Sequence, residues 1–160
     1  MKKRVELIIR VNKEAGSEEF YQASQHLGML AALSFREEQG RDRKSRHRAQ
    51  MTGLENMAET TLKATDVLDY IKKQTARQKG WQIQVGEKRE RFGESLKTYI
   101  ESGLEPYLES VCSGGFITIT NEDSKQERRN AYLELIRQLI RQIVVQYEYQ
   151  VTSQEEAARR

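Results

Sequence analysis

Tyr132-Leu133-Glu134-Leu135-Ile136-Arg137-Gln138-Leu139-Ile140-Arg141-Gln142-Ile143-Val144-Val145-Gln146-Tyr147 returns an apolar side chain every three or four positions. Tyr132, Leu135, Ile136, Leu139, Ile140, Ile143, Val144 and Tyr147 then share one face of an α-helix, and no strand with its period of two fits that spacing. A stripe this long must be buried against partners, so more helices are needed.

They are found upstream. Ser17 reads as an N-cap, with Glu18 and Glu19 at the positive end of the helix dipole. Phe20, Ala23, Leu27, Leu30, Ala31 and Ser34, with Tyr21 and Phe35 at the edge, keep helical spacing to about Gln39, and Gly40 stops it. Gly28 inside this helix costs about 1 kcal/mol relative to alanine, which a close helix–helix approach would justify. Met51, Leu54, Met57, Ala58, Leu62, Thr65, Leu68 and Ile71 predict a second long helix ended by Gly80. Phe92, Leu96, Tyr99, Ile100 and Leu104 predict a third, broken near Pro106 and resumed through Tyr107, Leu108 and Val111. Asp123 or Ser124 is expected to cap the last helix.

Val5–Val11 is too short for periodicity to settle and is read as helix, like the segments downstream of it. Trp81–Gly86 reads as a connector or a small edge strand, and 114–120 as a loop. A single proline in 160 residues agrees with long uninterrupted helices. The expectation is an all-α protein, an antiparallel bundle of four to six helices over residues 1–151, with a frayed polar tail at 152–160.

Apolar residues make up 37% and charged residues 32%, so the apolar surface is used in narrow stripes. Cys112 is the lone cysteine, which excludes an internal disulfide and suits a reducing cytoplasm. No window approaches the ~20 apolar residues of a membrane span, and no membrane partner is expected. The chain has no HExxH, Gly-x-Ser-x-Gly, CxxC or phosphate-loop motif, so neither catalysis nor a metal or other cofactor is expected.

The net charge of +3 is modest, but the cations cluster. Arg41-Asp42-Arg43-Lys44-Ser45-Arg46-His47-Arg48 is the densest run, and like charges so close call for a counter-charge such as phosphate. Lys72, Lys73, Arg77 and Lys79 form another cluster, Lys88, Arg89 and Arg91 a third, and Lys125, Arg128 and Arg129 a fourth. Arg137 and Arg141 extend a stripe along the last helix. In a bundle, helix ends meet, so clusters can merge into one surface. The candidate nucleic-acid-binding residues are Arg41, Arg43, Lys44, Arg46, Arg48, Lys72, Lys73, Arg77, Lys79, Arg128, Arg129, Arg137 and Arg141. Such groups hold phosphates and leave base edges unread. Trp81 and Phe116 are the loop aromatics available to stack on a base, although both also suit lids over the bundle ends. His26 reads as a partly buried helix residue with a satisfied ring nitrogen.

Arg41-Asp42-x-x-x-x-His47 resembles the Arg-polar-x-x-x-x-His motif of HEPN ribonucleases, in which histidine and arginine support RNA cleavage. A histidine that chance places in a basic run is the simpler reading. Phe20-Tyr21-x5-Leu27-Gly28-x-Leu30-Ala31-Ala32-Leu33, within a basic helical bundle, resembles the small subunit of CRISPR effector complexes. It is similar in kind to the helical C-terminal region of large subunits in some type I systems. That resemblance implies a non-catalytic protein, several copies of which sit beside other subunits and touch the backbone of crRNA and of target DNA or RNA. A helical scaffold that binds another protein is a third reading.

Overall fold

The last stripe forms α7, Glu122–Arg159, the axis on which most of the other helices pack. The structure, a computed structural model, describes residues 2–37, 43–118 and 120–159, and the side chains at 37, 43–47, 155, 158 and 159 lie outside that description. The cap of α7 is Asn121 instead of Asp123 or Ser124: its Oδ1 accepts the Ser124 N–H at 2.9 Å. Glu122 and Asp123 fall in the first turn, where their charge favours the dipole. Leu135, Ile136, Leu139, Ile140 and Ile143 are fully buried. The helix also continues through 152–159, against the fraying that its polar composition suggests. Gln154, Glu155, Glu156 and Ala157 are strong helix formers, and no glycine or proline stops them.

Val5–Val11 belongs to α1, Lys2–Ala15, which buries Leu7, Val11 and Ala15. Helix α1 runs parallel to the first half of α7, with Lys3 paired to Glu127 and the Ala15 carbonyl accepting from Gln142. After Gly16, Ser17 caps α2, Glu18–Glu37, by accepting the Phe20 N–H on its hydroxyl. Helix α2 then crosses the second half of α7, where Ser24 donates to Gln142 and Phe35 packs its ring on Tyr147. Gly28 sits at the crossing, and a Cβ there would lie 2.5 Å from Gln146 Cβ and 2.9 Å from the Ile143 carbonyl oxygen. The predicted close approach is real.

The single helix expected from Met51 to Gly80 is two: α3, Arg43–Thr60, and α4, Ala64–Arg77. Thr61 makes the break. Its hydroxyl donates to Asp66 Oδ2 at 2.6 Å and accepts the Lys63 N–H at 3.2 Å, replacing helical bonds with a local turn. The apolar phase shifts with it. Leu62, placed in the stripe by the sequence pattern, is 85% exposed, and Val67 takes an inward position with Ile71. Arg137 closes the severed end by donating to the carbonyls of Ala58 and Thr61, both at 2.8 Å. Helix α3 runs antiparallel to α7, since Arg48 meets Glu148 while Arg141 meets Glu59.

A 3-10 turn, Lys79–Trp81, leads to a hairpin of β1, Gln84–Val85, and β2, Glu90–Arg91, with Gln84 opposite Arg91. Helix α5, Phe92–Thr98, widens into a π turn over Tyr99–Gly103, in which the Leu104 N–H reaches back to the Tyr99 carbonyl. Pro106 does not break a helix interior. It lies in the first turn of α6, Glu105–Cys112, where its missing donor costs nothing. The all-α class expected from the sequence holds, with one continuous core. Among the described residues no helix is long and apolar enough to cross a membrane.

Candidate nucleic-acid interface

Two buried residues decide where the cations sit. Trp81 is fully buried against Phe92, with ring centroids 4.9 Å apart, so the possibility that it stacks on a base is closed. Its indole N–H donates to Gln50 Oε1 at 2.6 Å, and Gln50 in turn donates to Gln78 Oε1. That chain ties the first half of α3 to the end of α4. The basic N-terminal turns of α3 and the basic C-terminal turns of α4 are thereby brought to one end of the helix pair.

On the outer face of α4, Lys72, Lys73 and Arg77 are exposed, and Lys79 follows in the 3-10 turn. Val67 and Ile71 hold the opposite face in the core, which leaves these cations no inward option. None of the four has a carboxylate partner among the described residues. Gly93, packed on Thr75, sets the hairpin beside the last turns of α4. Lys88, Arg89 and Arg91 on that hairpin are exposed and likewise unpaired among the described residues. Arg89 has φ +51°, a left-handed conformation that costs a side chain roughly 1–2 kcal/mol. A glycine would relieve that cost, so the cation is held at an energetic disadvantage. The sequence shows this cluster as charge alone, because nothing in the local pattern announces a left-handed arginine.

Arg43, Lys44, Arg46 and His47 lie in the first turns of α3 with side chains outside the described set, and Arg41 falls outside the described residues altogether. The α3 first turn has no acidic residue, so backbone dipole and side-chain charge there are both positive. Arg48 pairs with Glu148 at 3.5 Å.

The remaining candidates are engaged within the fold. Arg128 is held by Glu105 at 3.1 Å and by Glu109. Arg137, besides capping α3, pairs with Glu134. Arg141 forms a two-pronged pair with Glu59, and that hydrogen bond, together with the guanidinium charge, holds the Glu59 carboxyl below its usual range. Arg129 is exposed and donates to Gln126. These arginines stand along α7 towards α3 and α6, apart from the α4 face. Spacing reveals them as cations; only the fold reveals their partners.

The Glu59 pair has a pH consequence. The carboxyl is more acidic folded than unfolded, so its stabilisation is complete above the ordinary carboxylate range and is lost as pH falls through the folded pKa. The Arg141 and Glu59 side chains are 43% and 35% exposed, and solvent screening limits the pair to about a few tenths of a kcal/mol. Glu59→Gln is expected to lower thermal stability slightly at pH 7. The difference from wild type should shrink progressively as pH is lowered below the ordinary carboxylate range, read by calorimetry over an acid pH series.

Other reactive groups are settled. His26 Nε2 lies 2.7 Å from Glu90, a satisfied ring as expected, although the side chain is more exposed than the sequence suggests. Cys112 is buried, and burial raises its pKa, which favours the inert thiol. Phe116 is flanked by cations of its own chain, with Arg10 at 4.2 Å from the ring centroid and Lys3 at 5.5 Å. Among the described residues no group of His, Cys, Asp and Glu is arranged to hold a metal ion. The chain matches no family model, no curated protein and no solved structure.

Proposed function

We propose that this protein is a non-catalytic nucleic-acid-backbone binder, acting through the cations of the α3 start, the α4 outer face and the β1–β2 hairpin. The observation that carries this reading is a contrast in pairing. Lys72, Lys73, Arg77, Lys79, Lys88, Arg89 and Arg91 lack carboxylate partners among the described residues, whereas Arg128, Arg137 and Arg141 are held in ion pairs. Exposed unpaired cations gathered near one another repel, and a polyanion relieves that repulsion with release of its counterions. The resemblance of the Phe20–Leu33 segment to CRISPR small subunits makes a crRNA-guided effector complex the natural setting. The protein would rest there on guide or target strand.

The test is the salt dependence of binding. Wild-type protein should bind oligonucleotides with a logarithmic affinity that falls steeply with salt. Reversal of Lys72, Lys73 and Arg77 to Glu should weaken binding about tenfold or more at 50 mM salt and flatten the slope by about one unit per lost phosphate contact. Arg141→Gln should leave the slope unchanged. Equal affinity of wild type and the triple reversal would end the proposal. Metal-independent RNA cleavage abolished by His47→Ala would replace it with the ribonuclease reading.

A further inference from the structure

A cleft of about 490 Å³ opens between α2, β2 and the segment from α5 into the π turn, within the ~300–1,000 Å³ typical of small-molecule sites. Its apolar lining is Ala23 and Leu27 from α2, with Tyr99 and Gly103 from the two ends of the π turn. Gly103 lets the Tyr99 ring lie directly against the backbone, since a Cβ there would collide with the ring. Helices carry π turns mostly at functional sites, and this one shapes a wall of the cleft.

The polar lining has a definite pattern. His26 Nε2 lies 2.7 Å from Glu90, so that carboxylate is occupied. Glu94, exposed in the first turn of α5, has no cation and no hydrogen-bond donor on its carboxylate among the described residues. The hydroxyls of Ser95, beside it, and Thr98, one helical turn on, also lack partners there. An open carboxylate therefore stands next to two open hydroxyls over an apolar lining. Glu90 is bracketed in the chain by the exposed Arg89 and Arg91, which have no carboxylate partner among the described residues. Consecutive Cα atoms are about 3.8 Å apart, so the cleft borders the cations of the hairpin.

A carboxylate only accepts hydrogen bonds, so its match is a flat group with two adjacent donors. Among the bases, guanine alone offers them on its pairing edge: N1–H beside the N2 amino group, with O6 next to them for a hydroxyl to donate to. Adenine and cytosine set a ring acceptor beside their amino group, and thymine sets its one N–H between two carbonyls. An arginine side chain carries a similar donor pair, but the hairpin cations would repel its charge. Guanine is neutral and brings a phosphate to those cations. In a duplex its pairing edge is already taken by cytosine. We propose that this cleft takes an unpaired guanine of a bound single strand, with Glu94 accepting from N1–H and the N2 amino group while the hairpin cations hold the adjoining phosphate. The inference rests on the cationic reading, and its test separates the two.

Binding is measured by fluorescence anisotropy at one fixed salt concentration, with four labelled single strands of equal length. One is all thymine, and in the others the central thymine is replaced by guanine, adenine or cytosine. Wild type should bind the guanine strand about tenfold more tightly than the other three, the discrimination expected of one bidentate contact. Glu94→Gln presents one acceptor and one donor, which suits the pairing edge of adenine. The guanine preference should therefore vanish and adenine should become the best ligand. Ala23→Leu, which fills the apolar lining and leaves Glu94 in place, should remove the guanine preference without creating one for adenine. Equal wild-type affinity for the four strands would overturn the proposal, as would a guanine preference that survives Glu94→Gln. Free guanosine monophosphate that displaces the guanine strand as effectively as unlabelled strand does would overturn it in favour of a mononucleotide ligand. The cationic reading stands or falls separately, on whether reversal of Lys72, Lys73 and Arg77 weakens binding of the all-thymine strand.

Discussion

Gly28→Ala is expected to destabilise the protein by about 2 kcal/mol, although alanine is the better helix former. Propensity alone predicts a gain of about 1 kcal/mol at an interior helix position. The crossing with α7 reverses that sign. The added Cβ would meet Gln146 Cβ at 2.5 Å, the Ile143 carbonyl oxygen at 2.9 Å and the Tyr147 nitrogen at 3.1 Å. Two of these atoms are backbone and the third is fixed to it, so no flexible side chain can move aside. The two helices must separate, and overpacking of this kind costs about 1–3 kcal/mol. Separation also loosens Tyr147 against Phe35, whose ring centroids are 5.7 Å apart. For a chain of this length the melting temperature should fall by about 4–8 °C. Gly28→Leu should abolish cooperative unfolding. A melting temperature at or above wild type for Gly28→Ala would show that the helices do not approach as described.

Arg137→Ala should cost about 3 kcal/mol, the larger of the two effects. The guanidinium serves three acceptors at once, the carbonyls of Ala58 and Thr61 and the Glu134 carboxylate. Arg137 and Glu134 are only 14% and 13% exposed, so removal strands a mostly buried carboxylate as well as the open end of α3. Arg4, 3.9 Å from Glu134, can compensate in part. That keeps the cost towards the lower end of the roughly 3–5 kcal/mol range seen for broken buried pairs. Arg137→Lys should recover little, because an ammonium cannot span two carbonyls and a carboxylate in the arginine geometry. Arg137→Met combined with Glu134→Leu should recover only the part due to the stranded carboxylate, because the Ala58 and Thr61 carbonyls still lose their donor. Chemical denaturation of the single and double variants measures both claims. A cost below about 1 kcal/mol for Arg137→Ala would show that the helix end needs no such closure.

The last helix, the Ser17 cap and the Gly28 crossing are legible in the sequence because each has a local signal: a period, a side-chain oxygen, a missing Cβ. The division of α3 from α4 is not. Thr60-Thr61-Leu62-Lys63 contains neither glycine nor proline, and its turn depends on Asp66 and on Arg137 from a distant helix. The cationic clusters are legible as composition. Which of them are satisfied depends on Glu59, Glu105, Glu109 and Glu134, carboxylates whose positions only the tertiary packing decides. Trp81 reads as a possible solvent-facing aromatic because a tryptophan between two glycines looks like a loop residue. Its burial comes from Phe35 and Phe92 closing around it, and neither is its neighbour in sequence.

Helix α7 is the surface on which α1, α2, α3 and α6 settle, and it is made after all of them. As the ribosome delivers the chain, Phe20, Leu27, Leu54 and Ile71 emerge many residues before Ile136, Ile143 and Tyr147 can cover them. At about 5–20 residues per second, a nascent chain spends seconds with those faces open to chaperones.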